Sequence, residues 1–352
     1  MKMRVAFVIV SFILSLSIGL VLALGNRGHF KEKQIKQDIL IGLSMDTLKE
    51  ARWQNDKKFF LEKAEELGAR VLVQAANSDD ARQLQDVSAL ISSGVDVLVI
   101  VPHNGKAMAK AVRMASDAGI PVIAYDRLIM DSSPELYITF DGYKVGQIQA
   151  EYLIEKLLPI KNKIRIIRIY GSKMDNNAFL FKEGQDSVLA SYIKTGQVEV
   201  IHEDWAEDWK PEDAKRIVNA AITKYGYEFD AVLASNDGTA GGAIQTLIEE
   251  GIAGKILVTG QDAELVACKR IITGVQTMTV YKPIKLLAGQ AVELAVNLAR
   301  GKPIVAKSSV NNGKIDVPAV FISVQAVDKN NIKETVIADG FYTYNQSCPV
   351  NV

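Results

Sequence analysis

The chain has 352 residues, of which 48% are hydrophobic, and its 41 lysines and arginines balance its 41 aspartates and glutamates. This length predicts about two domains with substantial cores, and the zero net charge disfavours nucleic acid or an acidic membrane surface as partner. The cysteines and histidines are too few and too scattered for a disulfide framework or a metal site. They are Cys268, Cys348, His29, His103 and His202.

The first 37 residues differ in composition from the rest. Residues 5–25 form an apolar span that would reach about 30 Å as a helix, enough to cross a bilayer. We predict a retained signal anchor, although Ala23-Leu24-Gly25 offers a cleavage site for a secretory signal peptide. Residues 26–37 are polar and charged, which is typical of a juxtamembrane stalk. Because no comparable span follows, we expect the body to lie outside the cytoplasm, held at the cell membrane.

From residue 38 onward, short apolar segments alternate with amphipathic ones, several of which end at a glycine. In the first half we predict strands at 38–44, 70–75, 95–101, 121–125 and 136–140, and helices at 53–67, 80–93, 105–118 and 144–157. In the second half we predict strands at 163–169, 197–201, 229–234, 255–259 and 275–280, and helices at 176–193, 211–224, 238–250, 262–272 and 283–300. The alternation predicts an α/β fold with two doubly wound parallel-sheet lobes and a cleft between them.

Polar side chains follow several of the predicted strands. Asp126 and Arg127 follow the fourth strand, Asn236 follows the eighth, and Asp262 follows the ninth. In open α/β sheets, ligands bind in the crevice beyond the carboxyl ends of the strands. Carboxylate, amide and guanidinium groups at this edge indicate a small hydroxylated ligand rather than a large partner.

Motifs for catalysis and phosphate binding are missing from the sequence. The glycines of DGTAGGAIQ at 237–245 have neither the dinucleotide spacing nor a Walker lysine. No nucleophile elbow is present, and no histidine is placed to activate a nucleophile. We therefore predict neither an enzyme nor a bound cofactor. Asp237 is predicted to cap the helix that follows it and Asn236 to contact a ligand, while Asp262 could both cap a helix and bind.

Seven segments resemble the bacterial D-xylose-binding proteins, a branch of the type I periplasmic sugar-binding family. They are ARWQNDK (51–57), GVDVLVIVPHNG (94–105), AYDRLI (124–129), DNNAFLF (175–181), ASNDGTAGGAIQ (234–245), GQDAEL (260–265) and VQTMTVYKPI (275–284). The resemblance, from about residue 38 to about 342, implies a pentopyranose site between two lobes joined by three hinge crossovers. The expected division is a signal anchor and stalk at 1–37, an N-terminal lobe at 38–143 plus 282–322, and a C-terminal lobe at 144–281 plus 323–346.

The resemblance also implies which side chains hold the sugar. They are Arg52, Trp53, Asp126, Arg127, Asn177, Trp209, Asn236, Asp262 and Lys282. Aspartate accepts hydrogen bonds from hydroxyls, arginine and lysine donate them, asparagine does both, and tryptophan covers an apolar sugar face. Asp46 is a further possible contact, and Trp205 is assigned to packing. Without the resemblance, a turn with a local ion pair would explain Asp126 and Arg127 equally well.

Two partners would suit such a receptor for D-xylose or a related pentose. The span at 5–25, with no nearby cysteine to accept a lipid, favours a membrane-anchored sensor that signals to a membrane histidine kinase. The alternative is the solute-binding component of a xylose ABC transporter, which delivers the sugar to a permease. A repressor of similar fold would need a DNA-binding domain where the apolar span lies, so no nucleic acid is expected.

Overall fold

The computed structural model describes residues 38–343 and residue 346. The signal anchor and stalk predicted at 1–37 lie outside these residues, as does Cys348. Within the described part of the chain, no helix combines the length and the apolar character needed to cross a membrane. The membrane anchor therefore stays a prediction from the sequence.

Strands and helices alternate along the described chain. In order they are β1 (Ile39–Met45), α1 (Ala51–Glu66), β2 (Ala69–Ala75), α2 (Asp80–Ser92), β3 (Val97–Ile100), α3 (Ala109–Asp117), β4 (Val122–Tyr125), β5 (Leu136–Phe140), α4 (Gly142–Leu157), β6 (Ile164–Tyr170), α5 (Asn176–Lys194), β7 (Val198–Trp205), α6 (Pro211–Tyr225), β8 (Ala231–Ala234), α7 (Asp237–Glu249), β9 (Leu257–Val258), α8 (Leu265–Ile272), β10 (Met278–Tyr281), α9 (Ile284–Ala299), β11 (Ser308–Asn311), β12 (Asp316–Ile322) and β13 (Gln325–Asp328). A 3₁₀ turn at Glu207–Trp209 precedes α6, and a π-helical turn at Lys333–Ile337 follows β13.

The first lobe is built on a sheet in the order β11-β12-β5-β4-β3-β1-β2. Its pairs are parallel except for β11 with β12. Strands β3 and β4 are buried along their whole length, because helices cover both faces of the sheet. One core lies under α1 and α9, and the other lies under α2 and α3. This packing fixes the carboxyl end of β4 at one edge of the lobe.

The second lobe repeats this architecture with the parallel sheet β7-β6-β8-β9. Helices α6 and α7 pack over one core, and α4 and α5 over another. Strands β10 and β13 form an antiparallel pair. A parallel bridge between Gln261 and Val280 joins this pair to the chain that leaves β9. The lobe therefore continues beyond β9 to the segment that carries Asp262.

The chain passes between the lobes three times. It crosses between β5 and α4, between β10 and α9, and between β12 and β13, because the members of each pair belong to different lobes. Two lobes with three crossovers confirm the predicted fold class for the described residues. The second crossing contains Lys282, so this side chain sits at the junction of both lobes.

The helix caps correct one prediction. Asp237 was predicted to cap α7, but the cap is Asn236, whose backbone is extended and whose Oδ1 accepts from the backbone N–H of Thr239 at 2.9 Å. Asp237 is already the first helical residue, and its carboxylate turns inward to accept hydrogen bonds from Gln276 and Thr279. Asp262, which could have capped the helix after it, does not do so. Helix α8 begins only at Leu265, and no side chain caps its first turn.

Candidate functional site

All nine side chains implied as sugar contacts line one cavity between the lobes. They are Arg52 and Trp53 in α1, Asp126 and Arg127 after β4, Asn177 in α5, Trp209 in the 3₁₀ turn, Asn236 before α7, Asp262 after β9, and Lys282 between β10 and α9. The free volume is about 30 Å³, room for at most a few water molecules. The structure thus brings together residues that lie up to 230 positions apart in the sequence, the separation of Arg52 and Lys282.

Arg52 connects the two sides of the cavity. Its guanidinium forms a two-point ion pair with Asp126, with Nη1 donating to Oδ1 at 3.2 Å, and its Nη1 lies 3.9 Å from Oδ1 of Asp262 in the other lobe. Burial alone would raise the pKa of Asp126, but the charges of Arg52 and Lys282 outweigh it and bring the pKa to about 2. Asp126 is therefore a charged hydrogen-bond acceptor at neutral pH.

Lys282 and Asp262 form a second ion pair at the hinge. The Lys282 Nζ lies 2.8 Å from Oδ1 of Asp262 and 4.0 Å from Oδ2 of Asp126. The contact is close but poorly aligned, so Oδ1 of Asp262 receives no hydrogen bond of good geometry. Asp262 has a φ of 100°, a strained conformation for a residue with a side chain. The fold thus holds Asp262 in a strained backbone conformation, with its carboxylate on the cavity wall and its Oδ1 still available as an acceptor.

Arg127 is fixed by carboxylates from both lobes. Its Nη1 donates to Asp46 at 2.7 Å and to the carbonyl oxygen of Pro102 at 3.1 Å, while its Nε lies 2.8 Å from Oδ2 of Asp175 at the start of α5. These charges raise the pKa of Arg127 even though burial lowers it. Asp46, named as a possible ligand contact, thus pairs directly with Arg127.

Two tryptophans, one from each lobe, form part of the wall. The Trp53 ring lies under the guanidinium carbons of Arg52, at 4.0 Å from the ring centre, and of Arg127, at 5.2 Å. The Trp209 ring packs against Phe181 with a centroid separation of 6.1 Å. It also passes over Gly171, where an added Cβ would lie 2.1 Å from Cη2 of the indole. Glycine is required at this position because any side chain would displace Trp209.

The tryptophan assignments from the sequence agree with the structure. Trp209 is half-buried and lines the cavity, which agrees with the sugar contact that the resemblance implies for it. Trp205 packs instead against Tyr170 and Phe179, each at a centroid distance of 4.9 Å. The packing role predicted for Trp205 is therefore confirmed.

The two asparagines present different atoms to the cavity. Asn177 donates through Nδ2 to the backbone oxygen of Asp126 at 3.0 Å, and its buried Oδ1 has no hydrogen-bond partner. Asn236 uses Oδ1 for its cap to Thr239, which leaves its Nδ2 as the group that can donate elsewhere. Asn177 can therefore accept a further hydrogen bond, and Asn236 can donate one.

Several lining residues were not among the nine predicted contacts. They are Glu50, Asp175, Phe181, Gln261 and Glu264. Burial raises the pKa of Glu264 to about 8, with Asp237 and Asp262 adding to the rise, and burial raises the pKa of Asp237 to about 7. Four of the five lie within two residues of a predicted contact, and Gln261 also follows the ninth predicted strand, as Asp262 does.

Comparison with known proteins agrees with this geometry. Residues 41–303 match the family described as periplasmic binding protein domain. The D-xylose-binding periplasmic protein of Escherichia coli K12 is 46% identical over 306 residues, which cover 87% of this chain and 92% of that protein. The protein of the same description from Haemophilus influenzae is 46% identical over 314 residues, covering 89% and 93%.

A solved structure extends the likeness to three dimensions. An ABC transporter solute-binding protein from Clostridium phytofermentans, crystallised with bound β-D-glucose, has a TM-score of 0.81 and 32% identity. The match covers 88% of this chain and 99% of that one. From the family match, the identity to these relatives and the shared two-lobed fold, the chain belongs to the periplasmic binding protein family.

Proposed function

We propose that the protein is an extracytoplasmic receptor for D-xylose or a related pentose, which closes around the sugar by a hinge motion. The observation that carries this proposal is that the nine side chains implied by the resemblance as sugar contacts all line one cavity between the lobes. The D-xylose-binding relatives from E. coli and H. influenzae support the choice of sugar. These relatives are binding proteins, so the protein is a receptor and not an enzyme.

The chemistry of the cavity suits a pyranose. Asp126 and Asp262 can accept hydrogen bonds from hydroxyls, and Arg127 and Lys282 can donate to them. The tryptophan faces can cover the C–H surfaces of the ring. A sugar that lacks or misplaces one hydroxyl would leave a buried group unpaired, which is a strong basis for discrimination. We therefore expect D-xylose to bind more tightly than ribose or glucose, since glucose carries an additional exocyclic group.

Binding requires the lobes to move. The ion pairs of Arg52 and Lys282 fill most of the cavity. The free volume that remains, about 30 Å³, is too small for a pyranose. Contacts between the lobes also lie outside the cavity, where His103 of the first lobe lies 3.5 Å from Asp208 of the second. The sugar would enter when these contacts open and would then bridge the lobes as they close. A ligand shifts this equilibrium only by its differential affinity for the closed form.

For the moving bodies we propose the division made from the sequence, 38–143 with 282–322 against 144–281 with 323–346. It places β12 in the first lobe and β13 in the second, as their sheets do. The closed pair of lobes would present a surface that a membrane partner can distinguish from the open pair.

Delivery of the sugar to an ABC permease is the role we propose for this closed form. The sequence favoured a sensor partnered with a histidine kinase, but that preference rested on residues 5–25, outside the described residues. The solved relative from C. phytofermentans is a solute-binding protein of an ABC transporter, which favours transport. The comparisons give no support to the kinase partnership.

Two experiments test the proposal. Calorimetric titration of the full-length protein with D-xylose, ribose and glucose should show the tightest binding for D-xylose, and equal affinity for all three would refute the assigned specificity. Cross-linking in the native cells with and without D-xylose should then recover permease subunits in a sugar-dependent way. Recovery of a histidine kinase without permease subunits would reverse the assignment in favour of the sensor.

A further inference from the structure

Gln261 differs from the other deeply buried glutamines in the described part of the chain. These glutamines are Gln83, Gln149, Gln185, Gln261 and Gln276, and none is more than 3% exposed. All except Gln261 use both ends of the amide within the protein. Gln276, for example, donates to Asp237 at 2.7 Å and accepts from Arg270 at 2.9 Å. The buried Oε1 of Gln261 has no hydrogen-bond partner.

The backbone around Gln261 is held rigidly. Its carbonyl oxygen accepts from the N–H of Asp237 at 2.9 Å, and the residue pairs with Val280 in a parallel bridge. The neighbouring N–H of Asp262 donates to the carbonyl oxygen of Val280 at 2.9 Å. A side chain on such a fixed segment is positioned before any ligand arrives, which reduces the entropy lost on binding.

The side chain of Gln261 lines the same cavity as Asn236 and Asp262. A buried carbonyl without a partner destabilises a folded protein, so such groups call for a specific explanation. No structural role is visible for this one: it caps no helix, and no described donor meets its Oε1. The cavity is the place from which a donor could come.

We propose that Gln261 is a further ligand-contacting residue, whose Oε1 accepts a hydrogen bond from one hydroxyl of the sugar and thereby contributes to specificity. This inference rests on the proposed function. The hydroxyl supplies the missing donor, so an unfavourable feature of the free protein becomes a favourable contact in the complex. An analogue without that hydroxyl would leave Oε1 unpaired, as it is in the free protein.

The first test separates a binding role from a structural one. The full-length Gln261→Met variant replaces the amide by a side chain of similar length without hydrogen-bonding groups of comparable strength. Because Oε1 has no partner to lose, the melting temperature without sugar should be unchanged or higher. D-xylose affinity should fall on the order of tenfold, the usual scale for a lost hydrogen bond in a buried site. Gln276→Met is the matched control and should lower the melting temperature, because both of its amide ends are paired.

The second test identifies the coupling between side chain and hydroxyl. Wild type and Gln261→Met are titrated with D-xylose and with its 1-, 2-, 3- and 4-deoxy analogues. Wild type should discriminate against the analogue that lacks the contacted hydroxyl, and the variant should lose that discrimination for one analogue only. The inference on Gln261 would be overturned, with the proposed function intact, by any of three results for the variant. These are an unchanged affinity for D-xylose, an equal loss of affinity for all five sugars, or a lower melting temperature. A wild-type protein that binds none of these sugars would refute the proposed function, and the inference with it.

Discussion

Replacing Glu264 by Gln is expected to make the protein more stable at neutral and alkaline pH, but not in mild acid. Burial, together with Asp237 and Asp262, raises the pKa of Glu264 from 4.5 to about 8. The folded protein therefore keeps a proton that the unfolded chain releases as the pH rises above 4.5. The stability linked to this proton is fully present below pH 4.5 and is lost as the pH rises through 8.

The size of the effect follows from this pKa difference. At 1.36 kcal/mol per pH unit, the cost at pH 7.5 would be up to about 4 kcal/mol, against less than about 1 kcal/mol at pH 5. Glu264 is partly exposed, so solvent screening reduces the expected difference to about 1–2 kcal/mol. Glutamine has nearly the same shape but cannot ionise, so the variant should lack this loss.

Urea denaturation of the sugar-free protein at pH 5 and pH 7.5 measures the effect. The Glu264→Gln variant should gain about 1–2 kcal/mol over wild type at pH 7.5 and little at pH 5. The exposed Glu65 on α1 provides the control substitution, Glu65→Gln. A stability difference between Glu264→Gln and wild type that is the same at both pH values would refute the reasoning.

Three further substitutions test the cavity and the hinge. Asp126→Asn should lower the free energy of unfolding at pH 7 by about 2 kcal/mol, since the pKa of the Asp126 carboxyl falls from 3.8 to about 2 on folding. Denaturation curves should show that this difference between variant and wild type vanishes as the pH falls from 4 through 2. Gly171→Ala places a methyl group 2.1 Å from the Trp209 ring, so the ring has to move. D-xylose binding should weaken on the order of tenfold, and the tryptophan fluorescence should change. Unchanged fluorescence and unchanged affinity would remove Trp209 from the site. Asp208→Asn weakens the contact to His103. Binding should weaken about twofold to fivefold, by the same factor for D-xylose and for its deoxy analogues. If calorimetric titration shows a loss of affinity that differs between the sugars, Asp208 contacts the ligand.

The sequence predicted the layered fold well because its signals are local. Apolar β-branched runs and amphipathic segments ended by glycine mark each strand and helix up to α9. The last three strands were not predicted from the pattern of the chain itself. Ser308–Asn311 is polar and mostly exposed, and Gln325–Asp328 is half polar and only partly buried, so neither segment carries the apolar pattern that identifies a buried strand. The third, Asp316–Ile322, is more apolar, but Pro318 lies within it, and a proline inside a run disfavours a strand.

The composition of the site was predictable, but its internal pairing was not. Family segments placed nine residues on the cavity, yet Arg52 and Asp126 are 74 positions apart, and nothing local selects Asp126 as the partner of Arg52. The choice between Asn236 and Asp237 as helix cap depended on which residue keeps an extended backbone, a difference of one position. The unpaired Oε1 of Gln261 emerges only when the partners of every buried group are counted in three dimensions.

The arrangement of charges separates sugar specificity from overall affinity. Groups on the cavity wall, such as Asp262, can distinguish one hydroxyl pattern from another because they meet the ligand directly. Contacts that cross the cleft outside the cavity, such as that of His103 with Asp208, would stabilise closure for every sugar alike. The strength of these contacts sets the fraction of the sugar-free protein that is closed. It therefore changes the apparent affinity for every sugar by the same factor. A receptor built in this way can be tuned to a different working concentration at its cross-lobe contacts while the pocket still selects the same sugar.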